Sequence, residues 1–297
     1  MTIWTIATLA FVVLLYFAVN RISCVMLGVD RLPEPVPTAA VTPKPEQGQT
    51  PAVPGGASPA EQNQQEAEPT PEPTPEPTPA PDYEAGIFKD KFQGEDAWAW
   101  LEYDVVVPEK ATKSMPLIVY LHGDDLISQV DELPNRDFAL RTKEIYGNEF
   151  PYIMLLPNTH EAEWADGWIP ETLKALIDKT VEDYSIDKDK IVITGYSRGA
   201  IGCWKMANDY PDFFSCAVPC SCFGKISASN FVNLPVWAFV GGEPGDQSTY
   251  FSSMKYNCDE IINAGGNAKL SIVEGAEHDT MGYAPYTEDV IKWMLEQ

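Results

Sequence analysis

From residue 98 onward, short apolar runs alternate with amphipathic stretches, and this alternation carries the first expectation. Residues 98–107 (WAWLEYDVVV) have strand composition and partial alternation. Residues 117–121 (LIVYL) are five consecutive apolar or aromatic positions opened by Pro116, the pattern of a central strand buried on both faces. Residues 152–156 (YIMLL) predict a third strand, closed by Pro157-Asn158. Over 171–184, Leu173, Leu176, Ile177 and Val181 recur at helical spacing. A short buried strand over 190–194 runs directly into Gly195-Tyr196-Ser197-Arg198-Gly199, and 201–209 continues as a helix. Strands over 214–218, 236–240 and 269–273, a helix over 248–263 stopped by Gly265-Gly266, and a last helix over 286–295 complete the series. Strands separated by helices predict an α/β domain: a mostly parallel sheet with helices on both faces.

The first 82 residues follow a different pattern. Residues 3–19 are uncharged and almost wholly apolar, long enough as a helix to cross a bilayer. The expectation is an uncleaved membrane anchor. A cleaved signal peptide is the rival, weakened because no Lys or Arg precedes the apolar run. Residues 31–82 hold 15 of the chain's 26 prolines and no aromatic residue, so they cannot bury a core and are expected to form a disordered Pro/Glu/Thr-rich spacer. The organisation expected is therefore 1–30 anchor or signal, 31–82 linker and 83–297 folded domain. The location expected is extracytoplasmic, held at the membrane by the N-terminal helix or secreted after cleavage.

Charge narrows the partners. The chain of 297 residues has a formal net charge of −24, of which 31–82 contribute −6 and 83–297 contribute −18. An acidic domain has no electrostatic footprint for nucleic acid and disfavours polyanionic substrates. The oligomeric state is not encoded in any readable feature.

The candidate chemistry centres on Ser197. A serine between glycines at minus two and plus two, after a strand and before a helix, suits a tight turn that lifts its Oγ above the sheet. The same turn puts the Arg198 backbone N–H at a helix N-terminus, where it can donate to an oxyanion. The other reading is a Gly-rich packing turn. A serine needs a base, and the chain has three histidines: His122, His160 and His278. His278 follows the last predicted strand, which makes it the expected base. His122-Gly123-Asp124-Asp125 ends the strand at 117–121, so a backbone N–H at Asp124 is the expected second oxyanion donor, and His122 is expected to be structural.

The segments Pro116–Gly123 (PLIVYLHG), TGYSRGA at 194–200, PVWAF at 235–239 and GAEHD at 275–279 resemble the α/β-hydrolase superfamily. The likeness is to single-domain serine esterases such as the polyhydroxybutyrate depolymerase, feruloyl esterase and phospholipase/carboxylesterase groups. The resemblance implies Ser197 as nucleophile, His278 as base, an oxyanion hole from the N–H groups of Asp124 and Arg198, ester hydrolysis through an acyl-enzyme, and no cofactor or metal. It fails at the acid: the position where such proteins usually carry aspartate holds Pro244. Asp246 is the expected acid, Glu243 the alternative, and neither remains open.

Trp164 and Trp168, in the loop after Pro157, could stack on a substrate ring or could pack that loop to the body; Tyr283 and Tyr286 are weaker candidates of the same kind. Of the six cysteines, Cys203, Cys216, Cys220, Cys222 and Cys258 lie in the domain, and their spacing matches no zinc pattern. Their pairing stays open. The function expected is a serine hydrolase of carboxylic esters, small or attached to a polysaccharide. A serine peptidase of the same fold and a non-catalytic hydrolase-like binding module are the alternatives.

Overall fold

The computed structural model describes residues 81–96, 98–124, 130–159 and 162–297. Eight strands form one sheet in the order β1-β2-β4-β3-β5-β6-β7-β8. They are β1 (Gly86–Gln93), β2 (Trp100–Val107), β3 (Leu117–Leu121), β4 (Ile153–Asn158), β5 (Ile191–Tyr196), β6 (Cys216–Cys220), β7 (Val236–Gly241) and β8 (Ala268–Val273). The pairs β1–β2 and β2–β4 are antiparallel. Every other pair, from β4–β3 to β7–β8, is parallel. The helices are α1 (Asp137–Tyr146), α2 (Ile169–Asp183), α3 (Arg198–Asp209), α4 (Pro244–Asn263) and α5 (Glu288–Leu295).

The central strands read as unbroken apolar runs because both faces are covered. Side chains alternate across a sheet. Leu117, Val119 and Leu121 of β3 join Ile153, Leu155, Ile191 and Ile193 against Leu173 and Leu176 of α2 and Cys203 and Trp204 of α3. Ile118 and Tyr120 join Met154, Leu156 and Val192 against Phe138 of α1 and Val290, Ile291 and Met294 of α5. The register of β3 on β5 pairs Leu121 with Gly195. It brings the end of β3, with His122 and Gly123 after it, beside the start of the serine turn.

Two elements lie outside the expected series. β1 is exposed along most of its length and carries Lys89, Asp90 and Lys91 at its centre, so it shows no buried face in the sequence. α1 begins at Asp137 with φ of 50°, a start held by the Tyr120 hydroxyl donating to the Asp137 carboxylate at 2.9 Å, a contact between distant residues. Two expected helices begin earlier than their patterns suggest. α3 starts at Arg198 rather than 201, and α4 starts at Pro244 rather than 248, with proline in its first turn where its missing N–H costs nothing. β6 runs Cys216–Cys220 rather than 214–218 and accommodates Pro219.

The expectation of a membrane anchor is corrected. No helix among the described residues is long and apolar enough to cross a membrane. The apolar stretch 3–19 and the spacer 31–80, on which the anchored and extracytoplasmic location rested, lie outside the described residues. Neither a membrane partner nor that location is carried forward.

Candidate active site

The site is built at the C-terminal ends of the parallel strands, where open α/β sheets collect their ligands. β5 is buried at every position and ends at Tyr196. Ser197 then takes φ 53° and ψ −121°, a region that an L-residue occupies at a cost of about 1–3 kcal/mol. The surroundings hold it there. Its N–H donates to the Cys220 carbonyl at 2.9 Å, and its own carbonyl accepts from the Ala200 and Ile201 N–H groups. Gly199 is required by contact rather than by torsion: a Cβ there would overlap the Leu121 carbonyl oxygen. A Cβ on Gly123 would meet the Tyr196 ring at 2.5 Å. The glycines thus let the ends of β3 and β5 close on the serine turn.

His278 and Asp246 arrive from two other strand ends. His278 opens a one-turn 3-10 helix after β8. Its Nδ1 lies 2.8 Å from Asp246 Oδ1, and its Nε2 lies 3.0 Å from Ser197 Oγ. A carboxylate only accepts, so Nδ1 carries the proton and the neutral ring's Nε2 accepts from the serine hydroxyl. Asp246 is 3% exposed and sits in the first turn of α4. Its second oxygen accepts from the Ser221 hydroxyl at 2.8 Å and from the Gly241 N–H. The Tyr250 ring, one turn further along α4, stacks on His278 with centroids 4.7 Å apart and planes 25° apart. Glu243 is the N-cap residue of α4, and Asp246 rather than Glu243 meets the imidazole.

Asp124 and Arg198 also meet, through their side chains. Arg198 Nη1 donates to Asp124 Oδ1 at 2.6 Å, Nε donates to Glu163 Oε2 at 2.7 Å, and Nη2 donates to the Ala162 carbonyl at 3.1 Å. The acidic side chain beside the expected oxyanion position is therefore turned onto a guanidinium. Among the described residues, the Arg198 N–H donates to no backbone carbonyl outside α3. A cleft of about 380 Å³ opens beside His278, lined by Glu243, Pro244, Gly245, Asp246, Glu277 and Asp279.

Other expected positions fall elsewhere. Of its two open readings, Trp164 takes the packing one: it is 2% exposed, its indole N–H donates to the His122 carbonyl at 3.0 Å, and its ring meets the His122 ring edge-on. Trp168 packs edge-on against Trp98 and faces a cleft lined by Glu95, Asp96 and Lys174, with none of the three residues Ser197, His278 and Asp246. Tyr286 is fully buried, its hydroxyl 2.9 Å from that of Thr194, while Tyr283 stacks with Arg141. His122 is buried, with Nδ1 on the Gly123 carbonyl at 2.7 Å. His160 and the sixth cysteine, Cys24, which is outside the domain, lie outside the described residues. The five domain cysteines are buried free thiols, and burial pushes those of Cys216 and Cys220 up to about 12. No cluster of side chains among the described residues has the make-up of a metal site.

Ser221, Tyr250 and Glu163 are contacts that sequence reasoning missed. Only Tyr250 left a signal, four residues beyond Asp246 and so on the same helix face once α4 is known to begin at Pro244.

No protein-family model and no curated protein matches the chain. Solved structures do. A thermostable esterase matches at TM-score 0.55 and 20% identity, over 71% of this chain and 63% of that one. A protein assigned as a dipeptidyl aminopeptidase IV from Bacteroides ovatus matches at TM-score 0.58 and 13% identity, over 71% of this chain but 36% of that one. A ferulic acid esterase matches at TM-score 0.51 and 14% identity, over 72% of this chain and 99% of that one. At these identities the likeness is one of fold. With the parallel sheet, its antiparallel edge and the strand–serine–helix turn, it establishes that the described domain has the α/β-hydrolase fold, the fold on which these esterases are built.

Proposed function

We propose that the domain is a serine hydrolase of carboxylic esters. The observation that carries this reading is the continuous line Ser197 Oγ–His278 Nε2–His278 Nδ1–Asp246 Oδ1, with links of 3.0 and 2.8 Å, on a turn whose backbone is held at positive φ. Ser197 Oγ attacks the carbonyl carbon while His278 Nε2 takes its proton. Asp246 holds the ring in that tautomer and stabilises the imidazolium that forms. The backbone N–H groups of Asp124 and Arg198 receive the oxyanion. His278 returns its proton to the leaving alcohol, and the acyl group stays on Ser197. Water then attacks the acyl-enzyme with His278 again as base. The serine, histidine and carboxylate complete this sequence by themselves, so the reading assigns no cofactor.

The esterases that share the fold favour an ester over an amide, and ferulic acid esterase among them puts a feruloyl ester in the first panel. The aminopeptidase of Bacteroides ovatus motivates the second reading, a serine peptidase, which would use the same line of residues. A fluorophosphonate probe is expected to label the protein once per chain and to fail on Ser197→Ala. Folded protein that resists labelling would instead favour the binding-module alternative. A panel of acetyl, butyryl and feruloyl esters beside aminoacyl amides then separates the two catalytic readings, with faster turnover of the esters expected.

A further inference from the structure

Arg198 has a backbone and a side chain with different tasks. Its N–H is one of the two groups assigned to the oxyanion. Its guanidinium, 15% exposed, reaches away from the helix and binds two separate loops. One acceptor is Asp124, the first residue past His122-Gly123 at the end of β3. The others are Glu163 and the Ala162 carbonyl, in the loop between β4 and α2. Asp124 carries the other N–H assigned to the oxyanion. The same loop that supplies Glu163 makes a second tie to the end of β3, where the Trp164 indole donates to the His122 carbonyl.

We propose that Arg198 is a positioning residue for the oxyanion hole: its guanidinium holds the Asp124 backbone at a fixed distance from the serine turn, so that one side chain couples the two donors. The proposal rests on the esterase reading above. Its physical basis is the shape of the guanidinium. Three nitrogens donate in one plane to three acceptors, which a lysine ammonium, a compact point charge, cannot reproduce. Both carboxylates are more than half exposed, 66% for Asp124 and 58% for Glu163, so ion pairing here adds little to stability. Its effect is on geometry. A displacement of an oxyanion donor by about 1 Å costs on the order of 100-fold in rate, and donors set in advance are what an oxyanion hole needs. Asp124 itself is exposed, and the Arg198 guanidinium is the side chain that its carboxylate meets.

The test uses the full chain and p-nitrophenyl acetate. Arg198→Gln is expected to lower kcat on the order of 100-fold with KM changed less than about twofold, because the loss is felt by the developing oxyanion and not by the bound ester. Arg198→Lys is expected to recover little of that loss. Asp124→Asn, which keeps its backbone N–H, is expected to lower kcat by about tenfold, and the double variant to be no slower than Arg198→Gln alone, the non-additivity of one shared link. Fluorophosphonate titration should still find one reactive Ser197 in each variant. A kcat for Arg198→Gln within twofold of the parent, or a double variant whose losses multiply, overturns the proposal. If Arg198→Gln does not fold, Glu163→Gln, on an exposed side chain, stands in for it, with a fall in kcat of about tenfold expected at constant KM; no fall overturns the proposal. A parent protein that neither hydrolyses the ester nor takes the probe overturns the esterase reading and this proposal with it. A parent that does both while the variants match it overturns the positioning role alone.

Discussion

Two aspartates in this domain are equally buried, at 3% exposed each, and stand in opposite circumstances. Asp246, in the first turn of α4 after β7, meets the Ser221 hydroxyl, the Gly241 N–H and His278 Nδ1. Asp104, on β2 near the antiparallel edge, has an Oδ1 with no hydrogen-bond donor among the described residues, and Lys89 Nζ, 4.0 Å away, donates instead to Asp131 at 2.6 Å. Burial pushes the Asp104 carboxyl up to about 6; Lys89 offsets part of this, while Asp131 and Glu102 add to it. Removal from water is common to both residues. The arrangement of donors separates them, and it is found at the strand ends that the parallel topology brings together. A buried carboxylate is therefore informative about chemistry only together with its donors.

The comparison can be broken most sharply at Asp246. Asp246→Asn should lower kcat by about 10⁴-fold, because an amide can present its N–H₂ to Nδ1 and favour the wrong imidazole tautomer. Asp104→Asn should leave kcat within twofold. Steady-state kinetics on the two variants checks both, and equal losses would end the distinction drawn between them. Next in size is Ser221→Ala. It removes one donor of the three on Asp246 and should cost roughly 1–2 kcal/mol in transition-state stabilisation, or about tenfold in kcat. A smaller loss is expected at Tyr250→Ala, where removing a stacked ring from His278 should cost about 0.5–1.5 kcal/mol in transition-state stabilisation, read as a fall in kcat.

An effect of similar size, on stability and not on rate, lies with Asp104. Asp104 titrates higher folded than unfolded, so the folded chain holds the proton more tightly between about pH 4 and 6. The contribution of this group is fully present below the unfolded value and is lost as pH rises through about 6. Asp104→Asn should thus raise the urea midpoint at pH 7.5, by about 1 kcal/mol in unfolding free energy, and leave it unchanged at pH 4. A midpoint that rises equally at both pH values would mean that titration is not the cause.

Much of the central sheet was legible because β3, β4 and β5 are buried on both faces and must be apolar throughout, a pattern that survives in one dimension. β1 and α1 were not legible. β1 is an edge strand with a charged, exposed run, and α1 starts on a contact from Tyr120 seventeen residues upstream. The glycine spacing around Ser197 was readable for a related reason: Gly199 answers a steric demand from Leu121 that no other residue meets. Trp164 shows the opposite limit. A tryptophan in a loop reads the same whether its ring is offered to a ligand or, as here, buried against His122.

The sequence by itself determined the order of the strands and helices other than β1 and α1, the strand–serine–helix turn and the shortlist of bases and acids, since these depend on residues close in the chain. The identity of the residue meeting His278 was decided only by tertiary structure. Pro244 starts α4 four residues before its apolar pattern does, and that single turn of helix carries Asp246 inward to His278 while Glu243 stays at the cap. The fate of the Asp124 carboxylate was decided in the same way. Arg198 lies 74 residues away in sequence and 2.6 Å away in space, and only the β3–β5 register makes them neighbours.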